Sequence, residues 1–414
     1  MWGKLLHSEW VSTNYGLNHK GGYNLTYKYL LLLDTDKIKQ YVFSSSKLKE
    51  IRGASMLLEY LNTIESRKII YRTVGLPENY DKEEHEKFRI IYLDGGSGKV
   101  EFAEADHAMT CGELIERRYK ALTKSASISW IVIPIEGNNY YQTVAHGEFQ
   151  LRLKKQQNAF VGQTDHLGIF HRCKHNEIEA VENIKQSFYE LDDVEANYKR
   201  LADLKGEKWV KIGPSSIIKQ AFYNNKRNQE IGIIQRIKEI YKEVPFEFPK
   251  QLSVIGDAAG NGDIGLIYFD GNNMNRVLKS LRTVEHYREF SKNLSQIIED
   301  SIIEALKAIY SAETLPELHN RDEEQSGDDS LKTKVLPVEF VLKAGDDIIV
   351  IVPSTKAMKF ATVFMERFAT KANNSTKIPI NTEEILTMSA GVAIAKSSFP
   401  IKYLVPVAEQ LSKI

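Results

Sequence analysis

Three aspartates carry the strongest chemical suggestion in this 414-residue sequence: Asp270 in FDGNNMN, and Asp346 with Asp347 in KAGDDIIVIVP. Each lies where an apolar run stops. If the two runs pair as neighbouring strands, the three carboxylates converge at one sheet edge and repel one another unless a cation sits among them. Hard oxygen ligands with open water positions suit Mg²⁺ or Mn²⁺. Two such ions about 3.5–4 Å apart can activate a hydroxyl nucleophile and stabilise the leaving oxygen of a phosphoryl displacement. The chemistry these residues fit is therefore nucleotidyl transfer. Gly345, just before the acids, tolerates a positive φ and lets backbone approach a phosphate. A lone Gly-Asp-Asp is also an ordinary turn, and the second copy at Gly327–Asp329, with no strand beside it, reads as solvated charge. What sets Gly345–Asp347 apart is its order after FDGNNMN and a matching half upstream.

The elements that must position these acids occur twice. YLLLLDTDKIKQYVF (Tyr29–Phe43) and GLIYFDGNNMNRVL (Gly265–Leu278) each read as strand, acidic loop and helix, with Asp34 in the place of Asp270. Each is followed by a hairpin pattern, RIIYLDGGSGKVEFA around Gly95–Gly96 and PVEFVLKAGDDIIVIVP around Gly345, and then by a further strand from Ser127 or Ile385. Matching glycine to glycine sets Gly95 and Gly96 against Ala344 and Gly345, and Ser97 and Gly98 against Asp346 and Asp347. The first half keeps the turn and lacks the acids. The expected fold is α+β, two tandem ferredoxin-like palm units: 1–150 as a degenerate, nucleotide-supporting unit, 151–252 as a helical insert, and 253–414 as the unit with the acidic hairpin. Ser311–Lys334, acidic and without apolar periodicity, reads as a loop.

Lys plus Arg and Asp plus Glu are 55 each, so no global basic field advertises a nucleic-acid binder. No apolar run approaches the roughly 18 residues a spanning helix needs, and MWGKLLHSEW does not read as an export signal, so a cytoplasmic, membrane-free protein is expected. The two cysteines, Cys111 and Cys173, form neither a disulfide framework nor a four-cysteine zinc site. His166, His171, Cys173 and His175 offer zinc-ligand types close together, with uncoordinated loop side chains as the alternative; zinc is not required. KLKEIRGAS brings Lys47, Arg52 and Ser55 around Gly53, a phosphate-binding set of types or a solvated helix face with Gly53 as a packing position.

FDGNNMN, KAGDDIIVIVP, LTMSAGVAIAKSSFPIKYLVPVAEQLSK and KLKEIRGASMLLEYLN together resemble the large polymerase-like subunit of type III CRISPR effector complexes, whose palms are related to nucleotide cyclases and GGDEF diguanylate cyclases. The resemblance implies synthesis of cyclic oligoadenylate from ATP, with two Mg²⁺ or Mn²⁺ ions on Asp270, Asp346 and Asp347. It implies nucleotide contacts from Gly345, Asn273, Lys47, Arg52 and Ser55, and from Lys413 toward the triphosphate. Two departures stand out: Ala344 replaces the first of the family's paired glycines, and Asn272 replaces a second strand-end acid. The sequence has no His-Asp dipeptide, so the family's HD nuclease domain is not expected, nor is its C-terminal helical domain. Expected partners are a nucleoside triphosphate, RNA or other effector subunits, and a second copy of the chain. Two other readings stay open: a non-catalytic scaffold binding RNA or nucleotide, and a GTP-using diguanylate-cyclase-like enzyme.

Overall fold

Leu30 to Leu33 are four consecutive leucines, all nearly inaccessible. A strand with such a run must be covered on both faces, because successive side chains point to opposite sides. That strand, β1 (Tyr29–Asp36), lies inside a sheet: Leu31 and Leu33 enter one apolar core, Leu30 and Leu32 another. The computed structural model describes residues 27–136, 140–158, 213–226, 233–320, 332–375 and 386–414. The expected zinc-ligand segment at 166–175 and the acidic copy of Gly-Asp-Asp at 327–329 lie outside them.

In the first unit β1 leads through α1 (Ile38–Val42), α2 (Leu48–Glu59), a π-helical turn (Tyr60–Glu65) and α3 (Ser66–Thr73) to the hairpin β2 (Phe88–Asp94) and β3 (Ser97–Phe102). Then come α4 (Ala105–Thr123), β4 (Ser127–Pro134) and α5 (Tyr140–Asn158). A helical stretch, α6 (Pro214–Lys226), α7 (Ile233–Ile240) and α8 (Leu252–Ala258), precedes the second unit. That unit runs β5 (Asp263–Asn272), α9 (Met274–Ser280), α10 (Val284–Ile309), β6 (Glu339–Ala344), β7 (Asp347–Pro353), α11 (Ser354–Asn374), β8 (Thr387–Lys396) and α12 (Ile401–Leu411). The long helix α10 starts where the Thr283 hydroxyl accepts the His286 N–H at 3.2 Å, satisfying a donor the first turn leaves open.

Both sheets have the same order and are antiparallel throughout: β2-β3-β1-β4, extended by the short strand Glu84–His85, and β6-β7-β5-β8. The duplication reaches fine detail. A bulge interrupts β2 between Ile90 and Tyr92 and β6 between Phe340 and Leu342, in each case on the first strand of the hairpin. Asp34 lies across from Ser129 and Asp270 from Ser389; Asp36 lies across from Ser127 and Asn272 from Thr387. Lys37 and Asn273, the residues before α1 and α9, both adopt a left-handed φ, +49° and +64°.

Strand pairing corrects the expected hairpin alignment by one residue. Asp94 pairs with Ser97 as Ala344 pairs with Asp347, so the two-residue turns are Gly95–Gly96 and Gly345–Asp346. Gly96 therefore matches Asp346, and Ser97 matches Asp347. Across from Asp34 stands Ser97, with Gly98 across from Leu33. Equating the glycine pairs misplaced the turn, because register is set by which strand residues pair and not by which turn residues are alike. The first unit still lacks both hairpin acids.

The units interlock reciprocally. Helix α2 of the first packs on β6 of the second, and α10 of the second packs on β2 of the first. Each contact carries an ion pair on matching strand positions with the charges exchanged: Arg52 of α2 with Glu339 of β6, and Glu285 of α10 with Arg89 of β2 at 3.2 Å. Helix α6 in turn packs on α2, where a Cβ on Gly53 would strike the Lys219 carbonyl. Gly53 is thus a packing glycine.

Candidate functional site

Asp270 ends the buried part of β5 and Asp347 begins β7, its neighbour, so the two carboxylates meet at the same sheet edge. Tyr268, two residues before Asp270 and hence on its face, donates its hydroxyl hydrogen to Asp347. Burial first, and then the hydrogen bond to that carboxylate, push the Tyr268 phenol far above its usual range. Asp346 occupies the turn, and its carboxylate lies against Gly271, where an added Cβ would come within 2.7 Å of Oδ2. Burial and then the charge of Asp347 raise the Asp270 carboxyl, against Lys413 and Lys39. Burial and the charges of Asp347 and Asp270 push Asp346 up to about 6, against a backbone hydrogen bond.

A cation from the other unit reaches this edge. Lys39 Nζ on α1 donates to the Tyr268 hydroxyl at 2.6 Å and stands 3.2 Å from Glu409 and 3.7 Å from Asp347. Glu409, on α12, also pairs with Lys413 at 3.1 Å; burial opposes it, but hydrogen bonds from these two lysines hold its carboxyl below the ordinary range. Lys413 is exposed, and its charge also acts on Asp270 and Asp347. The lysine expected from the terminal helix therefore lies by the acids. Lys39, Tyr268 and Glu409 were not foreseen, and nothing in LDTDKIK signals a contact 229 residues away.

The donor types suit a hard divalent ion, and their mutual repulsion is what such an ion would relieve. Among the described residues, however, no three His, Cys, Asp or Glu side chains stand together as a metal-holding group. Asp270, Asp346 and Asp347 fit by chemistry and by edge, while an ammonium faces Asp347. Asn272 is held across the sheet: its Nδ2 donates to Thr387 at 3.1 Å and Ser389 at 2.9 Å, and its Oδ1 accepts from Ser389 at 3.1 Å. It clips β5 to β8, as Asp36 accepts from Ser127 and Ser129 in the first unit. The left-handed turn residue is Gly345, φ +65°, with open space where a Cβ would go, and Ala344 ends strand β6 before it. The turn's left-handed position falls on the glycine that this chain keeps.

The phosphate-binding set of the first unit is dispersed. Lys47 is exposed at the start of α2, with its backbone N–H on the Ser45 hydroxyl. Asn273 is an exposed helix-capping position whose carbonyl accepts from Arg276 and Val277. Arg52 and Ser55 do line a cavity of about 310 Å³ between the units, with Glu59, Asn62, the Gly95–Gly96 turn, Phe246, Phe340 and Lys343 in its wall. The Arg52 guanidinium pairs with Glu339 across the two units, a contact that its reading as a phosphate ligand does not include. Asn62 comes from the π-helical turn, a departure from regular helix that often marks functional positions. Burial, then the nearby Asp94, push the Glu59 carboxyl up to about 7 against Lys343. In the first unit the strand-end acids are occupied: Lys155 of α5 stands 2.6 Å from Asp34 and 3.1 Å from Asp36.

Residues 263–414 match the family described as Cas10/Cmr2, second palm domain. Among solved structures, Csm1 in T. onnurineus matches with a TM-score of 0.54 at 13% identity, covering 94% of this chain and 51% of that one. A Csm1–Csm4 cassette in complex with cA4 matches with a TM-score of 0.54 at 13% identity, over 94% and 52%, and one in complex with AMPPNP with 0.51 at 13%, over 94% and 53%. At this identity they show a shared fold. The chain spans about half the length of these solved proteins. No curated protein sequence matches the chain. Among the described residues no helix is long and apolar enough to cross a membrane.

Proposed function

We propose, from the premise that the chain is a Cas10-like palm subunit, that it joins nucleoside triphosphates, ATP foremost, into a cyclic oligonucleotide messenger at its second unit. In this reading the protein is a pair of tandem ferredoxin-like palms, 1–150 supporting and 253–414 catalytic, with 151–252 as helical insert. One observation carries it: Asp270, Asp346 and Asp347 share the edge of two paired strands, where burial and the charge of Asp347 raise the Asp270 and Asp346 carboxyls, while the duplicate unit has Gly96 and Ser97 in place of the hairpin pair.

Asp270, Asp346 and Asp347 would hold Mg²⁺ or Mn²⁺, which when bound supplies charge stabilisation to a phosphoryl displacement and activates a hydroxyl. The chain's own residues do the rest. The exposed turn at Gly345 presents backbone N–H groups to a triphosphate without a side chain in the way. Lys413, exposed beside the acids, meets the phosphate charge. The inter-unit cavity, apolar at Phe246 and Phe340 and polar at Ser55, Glu59 and Asn62, has the mixed lining of a base pocket. A ribose hydroxyl of one nucleotide would attack the α-phosphate of another and expel pyrophosphate.

Solved relatives are described in complex with cA4, pppApA and AMPPNP and paired with Csm4, which supports a nucleotide substrate and assembly with an effector subunit as proposals for this chain. Incubating the purified protein with labelled ATP or GTP and Mg²⁺ or Mn²⁺, alone and with RNA, and resolving the products by chromatography tests it. A cyclic adenylate product is expected. A guanylate product would move the chain to the diguanylate-cyclase class, and nucleotide or RNA binding without product would make it a scaffold.

A further inference from the structure

The cation at the acidic edge is supplied by the wrong unit for a simple active site. Lys39 belongs to the first unit, yet its ammonium touches three groups of the second: the Tyr268 hydroxyl, Glu409 and Asp347. Tyr268 relays the contact, accepting from Lys39 and donating to Asp347. The left-handed backbone of Lys37 starts α1 at the angle from which Lys39 crosses. The side chains of Lys39, Asp347 and Glu409 are each about 30% exposed, so the contact is sheltered from water but reachable. The first unit's edge is neutralised from within, by Lys155 of its own α5. Among the described residues, only the second edge borrows a charge across the interface.

We propose that Lys39 is a resident counter-ion of the acidic edge which a divalent cation must displace, so that loading the metal also releases a tether between the two units. The inference rests on the reading of Asp270, Asp346 and Asp347 as a cation site, and explains why the described carboxylates do not converge on a common point: Asp347 is turned to an ammonium and a phenol, while Asp346 lies on Gly271. An ammonium brings one charge and three donors, whereas a hard divalent ion brings two charges and demands oxygen ligands, so the two compete for one carboxylate. With Lys39 displaced, α1 keeps its packing through Tyr41 and Val42 but loses its polar anchor to the second unit.

The test is calorimetric titration of the full-length, chelator-treated protein with Mn²⁺ alone, comparing the parent with Lys39→Met, Lys39→Gln and Lys39→Arg. Removing the competing charge at a half-exposed site should tighten Mn²⁺ binding by about tenfold in the Met and Gln variants, while Lys39→Arg should stay near the parent. A second readout needs no titration: in chelator the Met variant should melt below the parent, and saturating Mn²⁺ should raise its melting temperature more than it raises the parent's. Equal or weaker Mn²⁺ binding by both neutral variants overturns Lys39 as the displaced ion while leaving the cation site standing. Absence of Mn²⁺ binding in parent and variants alike overturns the cation site itself, and the inference with it.

Discussion

Replacing Arg52 by methionine separates the two roles open to that residue. The substitution keeps the stem and removes the guanidinium, leaving Glu339, whose side chain is only 5% exposed, as a carboxylate at the interface without its partner. Breaking one side of a buried ion pair costs about 3–5 kcal/mol, because the remaining charge has neither water nor partner. With Arg52 itself 12% exposed, little solvent is at hand to soften the loss. The twin pair provides an internal comparison. Glu285 is 66% exposed, so Glu285→Gln should cost under about 1 kcal/mol. The double variant Arg52→Met with Glu339→Gln removes both charges and should regain most of the loss. Urea unfolding followed by fluorescence measures the stabilities, and ATP calorimetry on the folded protein measures the competing role. An Arg52→Met protein as stable as the parent to within about 0.5 kcal/mol, yet binding ATP at least about tenfold more weakly, would refute the interface assignment and make Arg52 a phosphate ligand.

Replacing Asp346 and Asp347 together by asparagine should lower product formation from ATP by roughly a thousandfold or more, while Asp34→Asn stays within about tenfold, both read by chromatography of labelled products. Glu59 binds its proton more tightly folded, to about pH 7, than its usual value of 4.5, so folding takes up a proton between the two. The associated stability is complete below the unfolded value and is lost as pH rises through about 7; Glu59→Gln should therefore be more stable than the parent near pH 8, by on the order of 2–3 kcal/mol, and not near pH 4, by urea unfolding at the two pH values. Gly271→Ala puts a methyl 2.7 Å from Asp346 Oδ2 and from Met274 Cε, so Asp346 must shift; a turnover loss at least about tenfold with a stability cost of about 1–3 kcal/mol is expected, and unchanged turnover would show that the position of Asp346 does not matter.

Much of the architecture was legible because it rests on local pattern. The apolar runs ending in Asp34 and Asp270, the two glycine-centred hairpins and the closing strands all became elements of two like-ordered sheets. Within the span 151–252 read as a helical insert, the described residues include the helices α6 and α7. The acids of the second unit also meet at one edge, because strand order alone brings them there. What escaped the sequence depends on partners distant in the chain. The hairpin register is decided by pairing with β1 and β5, which turn composition does not encode. The pairing of Arg52 escaped because Glu339, 287 residues away, is unremarkable by itself. The strand-clipping contacts of Asn272 need Thr387 and Ser389 placed across from it, more than 100 residues away.

The same register explains why the two units cannot exchange roles through one substitution. In the second unit Gly271 makes the space that the Asp346 carboxylate fills. At the matching positions the first unit has Thr35 and Gly96, the bulk exchanged: a Cβ on Gly96 would strike Ile38 and approach Thr35, and Gly96 has a φ of +85° that a side chain resists. Gly96→Asp would thus meet both a filled space and a left-handed backbone. Ser97, matching Asp347, would need a further change, and Asp34, matching Asp270, is held by Lys155. Loss of the acids in the first unit is consequently tied to its packing, and the reciprocal contacts of α2 and α10 keep that altered unit in place against the one that retains them.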